Sequence, residues 1–218
     1  MLHCNRSSMA VPRPVWLFRI THYQNLPFIL QHGLHCPACD VKDPAYVNIG
    51  KQDIIAKRES KQIELPPYGH IHDYVSFYFG PRSPMLYSIY KGASDTTCNQ
   101  KDIVYIVSTK ESIQQSGLPF VFTTGQAIMQ LSTQHNQDVD LSRIAWDIIR
   151  GAYWNDVPPE FPDRKRRRMA EFLVHQHVPL KCIRGLAVFN DSMEKTVSEM
   201  VNEAELQIPV KAKPNWYY

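Results

Sequence analysis

The sequence contains no apolar run approaching the roughly 18 residues that a membrane-spanning helix needs. Residues 1–8 lack the apolar segment of a secretory signal peptide. The charge is not one-sided, since 24 Lys and Arg face 21 Asp and Glu, which gives a formal net charge of +3. We therefore expect a cytoplasmic protein without a membrane partner, and the net charge alone indicates no other partner.

The common sequence signatures of phosphate binding and of a serine nucleophile are also missing. There is no G-x-x-x-x-G-K-[ST] loop, no G-x-G-x-x-G turn and no G-x-S-x-G elbow. A nucleotide or cofactor, if one binds, must therefore be held by another device.

The five cysteines do not indicate a disulfide framework, because their number is odd and the chain is long enough for a substantial core. Cys36 and Cys39 have the C-x₂-C spacing of a zinc knuckle, with His32 and His35 close by. No second C-x₂-C or H-x₃-H pair follows at a suitable distance. We interpret both cysteines as reduced thiols in a loop and expect no metal.

The composition and the hydrophobic pattern predict a globular α+β protein. Hydrophobic residues make up 44% of the chain and charged residues 21%, which excludes a disordered protein. Short strands do not alternate regularly with helices, and this argues against a doubly wound sheet. The predicted strands are 15–20, 73–79, 103–107, 120–123, 171–174 and 183–189.

Capping signals predict most of the helices. Asn25-Leu26-Pro27 favours a helix start and Gly33 its end. A second helix is expected to carry Ile54 and Ile55 and to end near Arg58, and a third covers 85–90. A fourth begins with the capping pattern Ser108-x-x-Glu111, and a fifth covers 141–149 and ends at Gly151. The last helix begins with Asp191-x-x-Glu194.

The densest charge in the chain precedes a carboxylate. Arg164, Lys165, Arg166, Arg167 and Arg168 form a run that leads through Met169-Ala170 into Glu171 and an apolar strand. By itself the run is typical of a solvated basic loop followed by an edge strand with an exposed Glu. It is also a plausible footprint for nucleic acid, and the strand could hold one acid rigidly.

The order of the polar residues at the strand ends carries more information than any one of them. His22 follows the first strand, Tyr78 lies in the aromatic strand 73–79, and Glu171 leads a late strand. This order resembles the H-Y-E arrangement of ADP-ribosyltransferases, and the chain most resembles DarT-type DNA ADP-ribosyltransferase toxins. The segments carrying the resemblance are Arg19-Ile20-Thr21-His22, residues 25–34, residues 49–58, residues 72–87 and residues 168–174.

The resemblance covers roughly residues 13–210 and implies a fold. We expect a single ADP-ribosyltransferase-like domain over 13–210, preceded by an N-terminal extension over 1–12. The expected architecture is α+β, with a central split antiparallel or mixed sheet flanked by helices.

The resemblance also implies a reaction, in which the enzyme cleaves the N-glycosidic bond of NAD, releases nicotinamide and transfers ADP-ribose to a base of single-stranded DNA, thymine in most of the family. NAD is thus a co-substrate, and a macrodomain antitoxin (DarG-type) is the implied partner. The implied catalytic residues are Glu171 and Arg58. The implied NAD-binding residues are Ile20, Thr21, His22, Asn48, Arg58 and Tyr78.

On the DNA side we expect phosphate contacts from the basic run and from Arg82, with base stacking by exposed Tyr153 and Trp154. Thr124 and Gln126 stand where the resemblance leads us to expect Asp and a His or Asn. This departure bears on the target base and its sequence context more than on the reaction.

Three other interpretations remain open from the sequence. An NAD-dependent RNA 2′-phosphotransferase of the same fold uses a set of Arg and His without a catalytic Glu. A protein-modifying ADP-ribosyltransferase would share the NAD site. A nucleic-acid binder without enzymatic activity would need only the basic run.

Overall fold

The structure is a computed structural model that describes residues 10–93 and 97–218. The first nine residues of the expected N-terminal extension lie outside these ranges. Within them, no helix combines the length and the apolar character needed to cross a membrane.

A mixed sheet of eight strands forms the centre of the molecule, and a two-stranded sheet lies beside it. The strands are β1 (Trp16–His22), β2 (Leu34–His35), β3 (Tyr74–Tyr78), β4 (Ile103–Thr109), β5 (Phe120–Thr123), β6 (Gln134–His135), β7 (Glu171–His175), β8 (His177–Val178), β9 (Ile183–Val188) and β10 (Val210–Ala212). The order in the large sheet is β10-β9-β4-β1-β3-β7-β5-β6, and β2 pairs with β8. Neighbours are antiparallel except β9 and β10, which are parallel. The predicted α+β class is confirmed.

The large sheet is pinched between β1 and β3, where a single pair, Phe18 with Tyr78, joins its two halves. Past that pair the strands diverge, and Arg19 crosses the gap to donate from Nη1 to the Ser76 carbonyl at 3.0 Å. The expected split in the sheet is therefore a gap between β1 and β3, which the Phe18–Tyr78 pair closes at one end and the Arg19 side chain bridges.

Seven α-helices flank the sheets in the described residues. They are α1 (Leu26–His32), α2 (Gln52–Ser60), α3 (Pro84–Tyr90), α4 (Lys110–Gln115), α5 (Trp146–Arg150), α6 (Arg164–Arg168) and α7 (Asp191–Glu203). Local sequence explains several ends. Ser83 and Asn190 accept hydrogen bonds from Leu86 N and Met193 N at the starts of α3 and α7. Gly33 ends α1 at φ 78°, where a Cβ would lie 2.7 Å from the Val178 carbonyl.

Three expected local structures are wrong. The cap of α4 is Thr109, whose hydroxyl accepts from Ser112 N, because β4 continues through Ser108 and that hydroxyl donates to the Cys182 carbonyl. The helix predicted over 141–149 is a 3₁₀ segment (Asp138–Arg143) followed by the short α5, since Ile144 and Ala145 have extended or irregular backbone. The basic run is helical rather than a loop, and forms α6.

Strand alternation divides the core between the two faces of the large sheet. Leu17, Phe77 and Phe172 belong to the larger cluster on one face. The other face carries two separate apolar clusters, one around Phe18 and Tyr105 and one around Tyr74 and Leu173. Tyr217 belongs to the first of these, and its hydroxyl donates to the Ile103 carbonyl at 2.8 Å. The space between these clusters is where the polar side chains gather.

Candidate active site

The strand register brings the three residues of the H-Y-E pattern to one face of the sheet. Tyr78 lies directly opposite Phe18 of β1 and Glu171 of β7, and directly opposed residues of antiparallel strands share a face. His22 follows Phe18 by four residues and points to the same face, about 13 Å further along β1. Glu171, Tyr78 and His22 therefore line one face across the pinch of the sheet.

Glu171 is buried, with 2% of the residue exposed, and each oxygen of its carboxylate accepts one hydrogen bond. Oε2 accepts from Arg58 Nη1 at 2.9 Å, and Oε1 accepts from the Ala127 backbone N–H at 2.9 Å. The Glu171 backbone N–H donates to Thr123 Oγ1 at 3.2 Å. Because a buried carboxylate needs a partner charge and hydrogen-bond donors, Arg58 and the Ala127 N–H offset its burial and fix the direction of the side chain. The exposed Glu of the simplest sequence interpretation is wrong.

Arg58 reaches this carboxylate from the last turn of α2, a surface helix with no buried residue. Its side chain is 21% exposed, and Nη2 also donates to the Ser76 hydroxyl. Arg58 and Glu171 are 113 residues apart in sequence, so only the tertiary structure makes them an ion pair.

Tyr78 is a half-buried phenol beside this ion pair, with its hydroxyl donating to Met85 Sδ at 3.8 Å. Burial and the Glu171 carboxylate raise the pKa of Tyr78, and Arg58 and Arg19 oppose them. The phenol is therefore neutral at pH 7 and offers its ring rather than a charge. Arg19 was not among the predicted site residues. Its Nε is buried and has no hydrogen-bond partner in the parts of the chain that the structure describes.

His22 is buried at the end of β1, and Nδ1 accepts from the Gln24 backbone N–H at 3.3 Å. Burial lowers the pKa of His22 below its ordinary value, although Asp102 opposes the shift. A cavity of about 370 Å³ opens beside the ring and is bounded also by Val47 and Cys98. A neutral imidazole thus borders a cavity at the far end of the row from Glu171.

The other predicted NAD-binding residues form the frame around His22. The Ile20 side chain packs in the core, and Thr21 Oγ1 accepts from Asn25 Nδ2 at 3.0 Å. Asn25 also bonds both the N–H and the carbonyl of Val47, which anchors the following loop. Asn48 is engaged locally, with its amide bonded to the N–H and carbonyl of Gly50. Asn25 was missed as a site residue, although its position before Leu26-Pro27 marked it as a helix start.

In α6, acidic neighbours hold two of the basic side chains. Arg166 donates to both Asp163 oxygens at 2.7 and 2.6 Å and to Ser132 Oγ at 3.0 Å, and Arg167 reaches Asp163 at 3.2 Å. These arginines hold the pKa of Asp163 below its usual range, Arg166 most strongly. The Arg164 guanidinium lies 3.6 Å from the centre of the Phe161 ring. Lys165 donates its backbone N–H to Asp156.

Arg168 corrects the expectation of a uniformly solvated run. It is only 6% exposed and donates to the carbonyls of Ile148, Ile149, Gly151 and Pro81 at 2.6 to 2.9 Å. Burial lowers its pKa. The guanidinium binds the carbonyls at the C-terminal end of α5, where a cation is favourable, and is not available to face a ligand.

Of the two aromatic residues expected to stack on bases, one is exposed and the other is buried. Tyr153 is 83% exposed, whereas Trp154 is 7% exposed and donates from Nε1 to the Tyr218 hydroxyl at 3.0 Å. The expectation that Trp154 is exposed is therefore wrong, and it acts as a loop anchor. The Arg82 guanidinium stacks at 4.7 Å over the Tyr218 ring, in the same aromatic group.

The segment after β5 connects α6 to the buried carboxylate. The Gln126 backbone N–H donates to the Arg166 carbonyl at 3.0 Å, and the next residue donates to Glu171. Thr124 lines a polar cavity of about 270 Å³ together with Leu131, Thr133, Arg143, Arg166 and Arg167. Arg143 was missed, since a lone arginine carries no sequence signal. The two positions that depart from the expected pattern thus lie between the basic helix and Glu171.

Two groups of potential metal ligands occur in the described residues. Cys36 Sγ and Cys39 Sγ lie 2.8 Å apart, and burial raises the pKa of Cys36 to about 12. His22, Cys98 and Asp102 offer ligand atoms that all lie within 4.8 Å of one another. Sequence spacing had drawn attention only to the first group.

Comparisons with known proteins agree with this geometry. The model of the family described as "ssDNA thymidine ADP-ribosyltransferase, DarT" matches residues 18–218. A DNA ADP-ribosyl transferase of Thermus sp. (strain 2.9) is 35% identical over 209 residues, covering 95% of this chain and 98% of the relative. A DNA ADP-ribosyl transferase of Escherichia coli O127:H6 is 30% identical, covering 97% of each chain. A Thermosipho africanus relative, 25% identical over 95% of this chain and 50% of its own length, is a fusion of a DNA ADP-ribosyl transferase with a DNA ADP-ribosyl glycohydrolase.

Solved structures of Thermus sp. 2.9 DarT have the same fold. The complex with ADP-ribosylated ssDNA superposes with a TM-score of 0.91 at 33% identity, covering 97% of this chain and all of that one. The complex with NAD⁺ gives a TM-score of 0.86 at 32% identity, over 96% of this chain and 100% of that one. The chain therefore belongs to the DarT family of single-stranded-DNA thymidine ADP-ribosyltransferases and is an NAD-dependent DNA ADP-ribosyltransferase.

Proposed function

We propose that Glu171 is the catalytic carboxylate and that it acts on the NAD ribose bound over Tyr78. Cleavage of the N-glycosidic bond leaves an oxocarbenium-like ribose, which a carboxylate hydrogen-bonded to the 2′-OH stabilises. A carboxylate has about four lone-pair sites. Arg58 and Ala127 occupy two of them, so the ribose hydroxyl can still donate. The buried Arg58–Glu171 pair in register with Tyr78 is the observation that carries this proposal.

The rest of the NAD would extend along β1 from this point. Tyr78 would stack near the nicotinamide, and His22, with the backbone at Ile20 and Thr21, would grip the distal part of the molecule. The distance of about 13 Å between Phe18 and His22 suits a dinucleotide that crosses the pinch. Arg19 would face the pyrophosphate, because a buried guanidinium N–H without a partner needs an acceptor. Asn48 would act through the loop that its amide shapes.

Arg58 would help the acceptor rather than act as a base. The ring nitrogen of thymine must lose its proton as the new bond forms, but an arginine side chain stays protonated in proteins and cannot take it. We infer that Arg58 orients Glu171 and polarises the base oxygen, which lowers the pKa of the ring N–H so that solvent water can take its proton. Arg58→Lys should therefore reduce transfer, because the ammonium cannot bond Glu171 and Ser76 in the same forked geometry.

The DNA would approach from the side of α6. Chemistry on a base edge requires a base that is outside the stack, which favours single-stranded DNA. Among the basic residues, Arg143 and Arg167 at the 270 Å³ cavity are the best placed for phosphates, followed by Arg164 and Lys165. Arg166 would hold the loop through Ser132, and Tyr153 is the exposed aromatic for stacking. Arg82, which stacks on the Tyr218 ring, is a further candidate.

We further propose that the enzyme is a cytoplasmic toxin countered by a macrodomain antitoxin. The Thermosipho fusion with a glycohydrolase supports a partner that removes ADP-ribose from DNA. We also propose that residues 13–210 form a single domain. The transfer reaction itself is proposed to need no metal.

One experiment tests the reaction and its alternatives together. Labelled NAD is offered with single-stranded thymine-containing DNA, the same DNA as a duplex, 2′-phosphorylated RNA, or protein. We expect label on single-stranded DNA and release of nicotinamide, both lost in Glu171→Ala. Loss of the RNA 2′-phosphate with Glu171→Ala nearly silent would instead establish the phosphotransferase, and label on protein alone would establish a protein-modifying enzyme.

A further inference from the structure

We propose that His22, Cys98 and Asp102 form a Zn²⁺ site at the end of the NAD cleft, and that zinc bound there inhibits ADP-ribose transfer. A ring nitrogen, a thiol sulfur and a carboxylate oxygen lie within 4.8 Å of one another. Imidazole, thiolate and carboxylate are the three ligand types that zinc takes from proteins. With three protein ligands, the fourth position would be left to water or substrate.

The backbone holds the three side chains in place. His22 at the end of β1 pairs with Ile103 at the start of β4, directly after Asp102. Asp102 Oδ2 accepts from the Asn99 N–H at 3.1 Å, and Cys98 Sγ donates to the Asn99 carbonyl at 3.4 Å. The 3₁₀ turn before β4 therefore positions two ligands against a third that is fixed by strand pairing.

The charge around the site suits a cation. Among the described residues, no Lys or Arg forms a salt bridge with Asp102. The three side chains border the 370 Å³ cavity, which has room for the ion and a water molecule. On coordination the Cys98 thiol releases its proton to solvent, so the ligand set gains a second negative charge next to Asp102.

The ligand geometry also limits the affinity. His22 Nδ1 accepts from Gln24 N at 3.3 Å, a long hydrogen bond. If Nδ1 binds the metal, the metal replaces this bond; if Nε2 binds, the ring proton moves to Nδ1 and the bond is lost. The site therefore gives up two contacts of the metal-free protein, the bond at His22 and the bond from the Cys98 thiol to the Asn99 carbonyl. This fits reversible, regulatory zinc rather than a permanent structural ion.

Inhibition, unlike metal binding, rests on the proposed function, because it requires that His22 holds NAD. A metal on the His22 ring would occupy the surface that NAD needs. Zinc should then raise the apparent KM for NAD, and excess NAD should relieve the inhibition.

Metal binding is tested first, with Co²⁺ as a spectroscopic probe of the full chain under reducing conditions. We expect visible bands of tetrahedral cobalt and a thiolate-to-cobalt charge-transfer band. Both should be lost in Cys98→Ser and retained in Cys36→Ser/Cys39→Ser, a matched control that removes the other thiol pair. Asp102→Asn gives a second variant, since an amide oxygen still accepts from Asn99 N, and it should weaken cobalt binding. Bands that depend on Cys36 and Cys39 instead of Cys98 overturn the site.

Inhibition is then measured as label transfer to single-stranded DNA against Zn²⁺ concentration. Cys98→Ser should keep the metal-free rate and need about tenfold or more zinc for half inhibition. Equal sensitivity of wild type and Cys98→Ser overturns the inhibitory site. If the cobalt spectrum depends on Cys98 but zinc does not compete with NAD, metal binding stands and inhibition fails, and with it the proposed contact between His22 and NAD.

Discussion

Replacing Glu171 by Gln is the sharpest test of the active site, because it removes one charge and keeps the shape. The carboxylate accepts from two donors at once, Arg58 Nη1 and the Ala127 N–H. A Gln amide offers its oxygen to only one of them and turns an N–H group toward the other. The substitution therefore changes both catalysis and stability, and the two effects can be calculated separately.

For catalysis, removing one preorganised electrostatic group at a developing charge costs about 10²–10³ in rate, or about 2.7–4 kcal/mol. For stability, the buried donor left without an acceptor costs about 1–3 kcal/mol. Arg58 is 21% exposed and keeps its bond to the Ser76 hydroxyl, so we expect about 2 kcal/mol rather than the full cost of an unpaired buried charge. For a chain of this length that lowers Tm by about 4–8 °C.

The assay is single-turnover transfer of label to single-stranded DNA, with Tm measured by circular dichroism. Glu111→Gln is the matched control, because its carboxylate accepts from the Val15 backbone N–H at 3.1 and 3.2 Å on α4, away from the site. The control should lose stability and keep transfer. A folded Glu171→Gln that transfers at more than a tenth of the wild-type rate would refute the role of the carboxylate.

Four further predictions follow from individual contacts. Thr123→Val removes the buried hydroxyl between the Gly125 carbonyl and the Glu171 N–H and should slow transfer about tenfold at unchanged KM for NAD, measured by nicotinamide release. Arg168→Met should lower the free energy of unfolding by about 3 kcal/mol in urea titrations, because four carbonyls lose their donor; a change in DNA affinity without a loss of stability would contradict this. Arg167→Ala should weaken DNA binding and reduce its salt slope by about one, with little effect on NAD affinity, as seen by fluorescence anisotropy. Burial holds the pKa of His22 below 6.5, so the neutral ring's contribution to the free energy of unfolding is complete above about pH 6.5 and is lost as the pH falls through the folded-state pKa. His22→Gln should therefore make stability fall less steeply as the pH is lowered below about 6.5. An unchanged fall in stability at acid pH would count against a buried neutral ring.

Local sequence predicted the elements whose boundaries depend on neighbouring residues. The strands around His22, Tyr78 and Glu171 and the cap of α1 at Gly33 follow from hydrophobic alternation and backbone conformation, which act over a few residues. The interrupted helix over 141–149 was missed, because helical spacing of apolar residues does not report the extended backbone at Ile144.

The sequence could not show which residues of the basic run are buried and which are exposed, because all five carry the same charge and differ only in what surrounds them. Arg168 became a buried ligand of carbonyls because α6 packs against the end of α5, whereas Arg166 and Arg167 met Asp163 within their own turn. Only the second of these contacts is local in sequence. The run that suggested a DNA surface is thus partly a structural support for the fold.

The sequence by itself determined the strand pattern, the helix caps and the resemblance that pointed to Glu171, since these depend on the order of residues along the chain. Only the tertiary structure decided the ion pair with Arg58, the donor at Ala127, the burial of Arg168 and Trp154, and the meeting of His22 with Cys98 and Asp102. The physical reason is range. Caps and alternation act between neighbours, whereas the charge and the burial of a side chain are set by residues that folding brings from far along the chain.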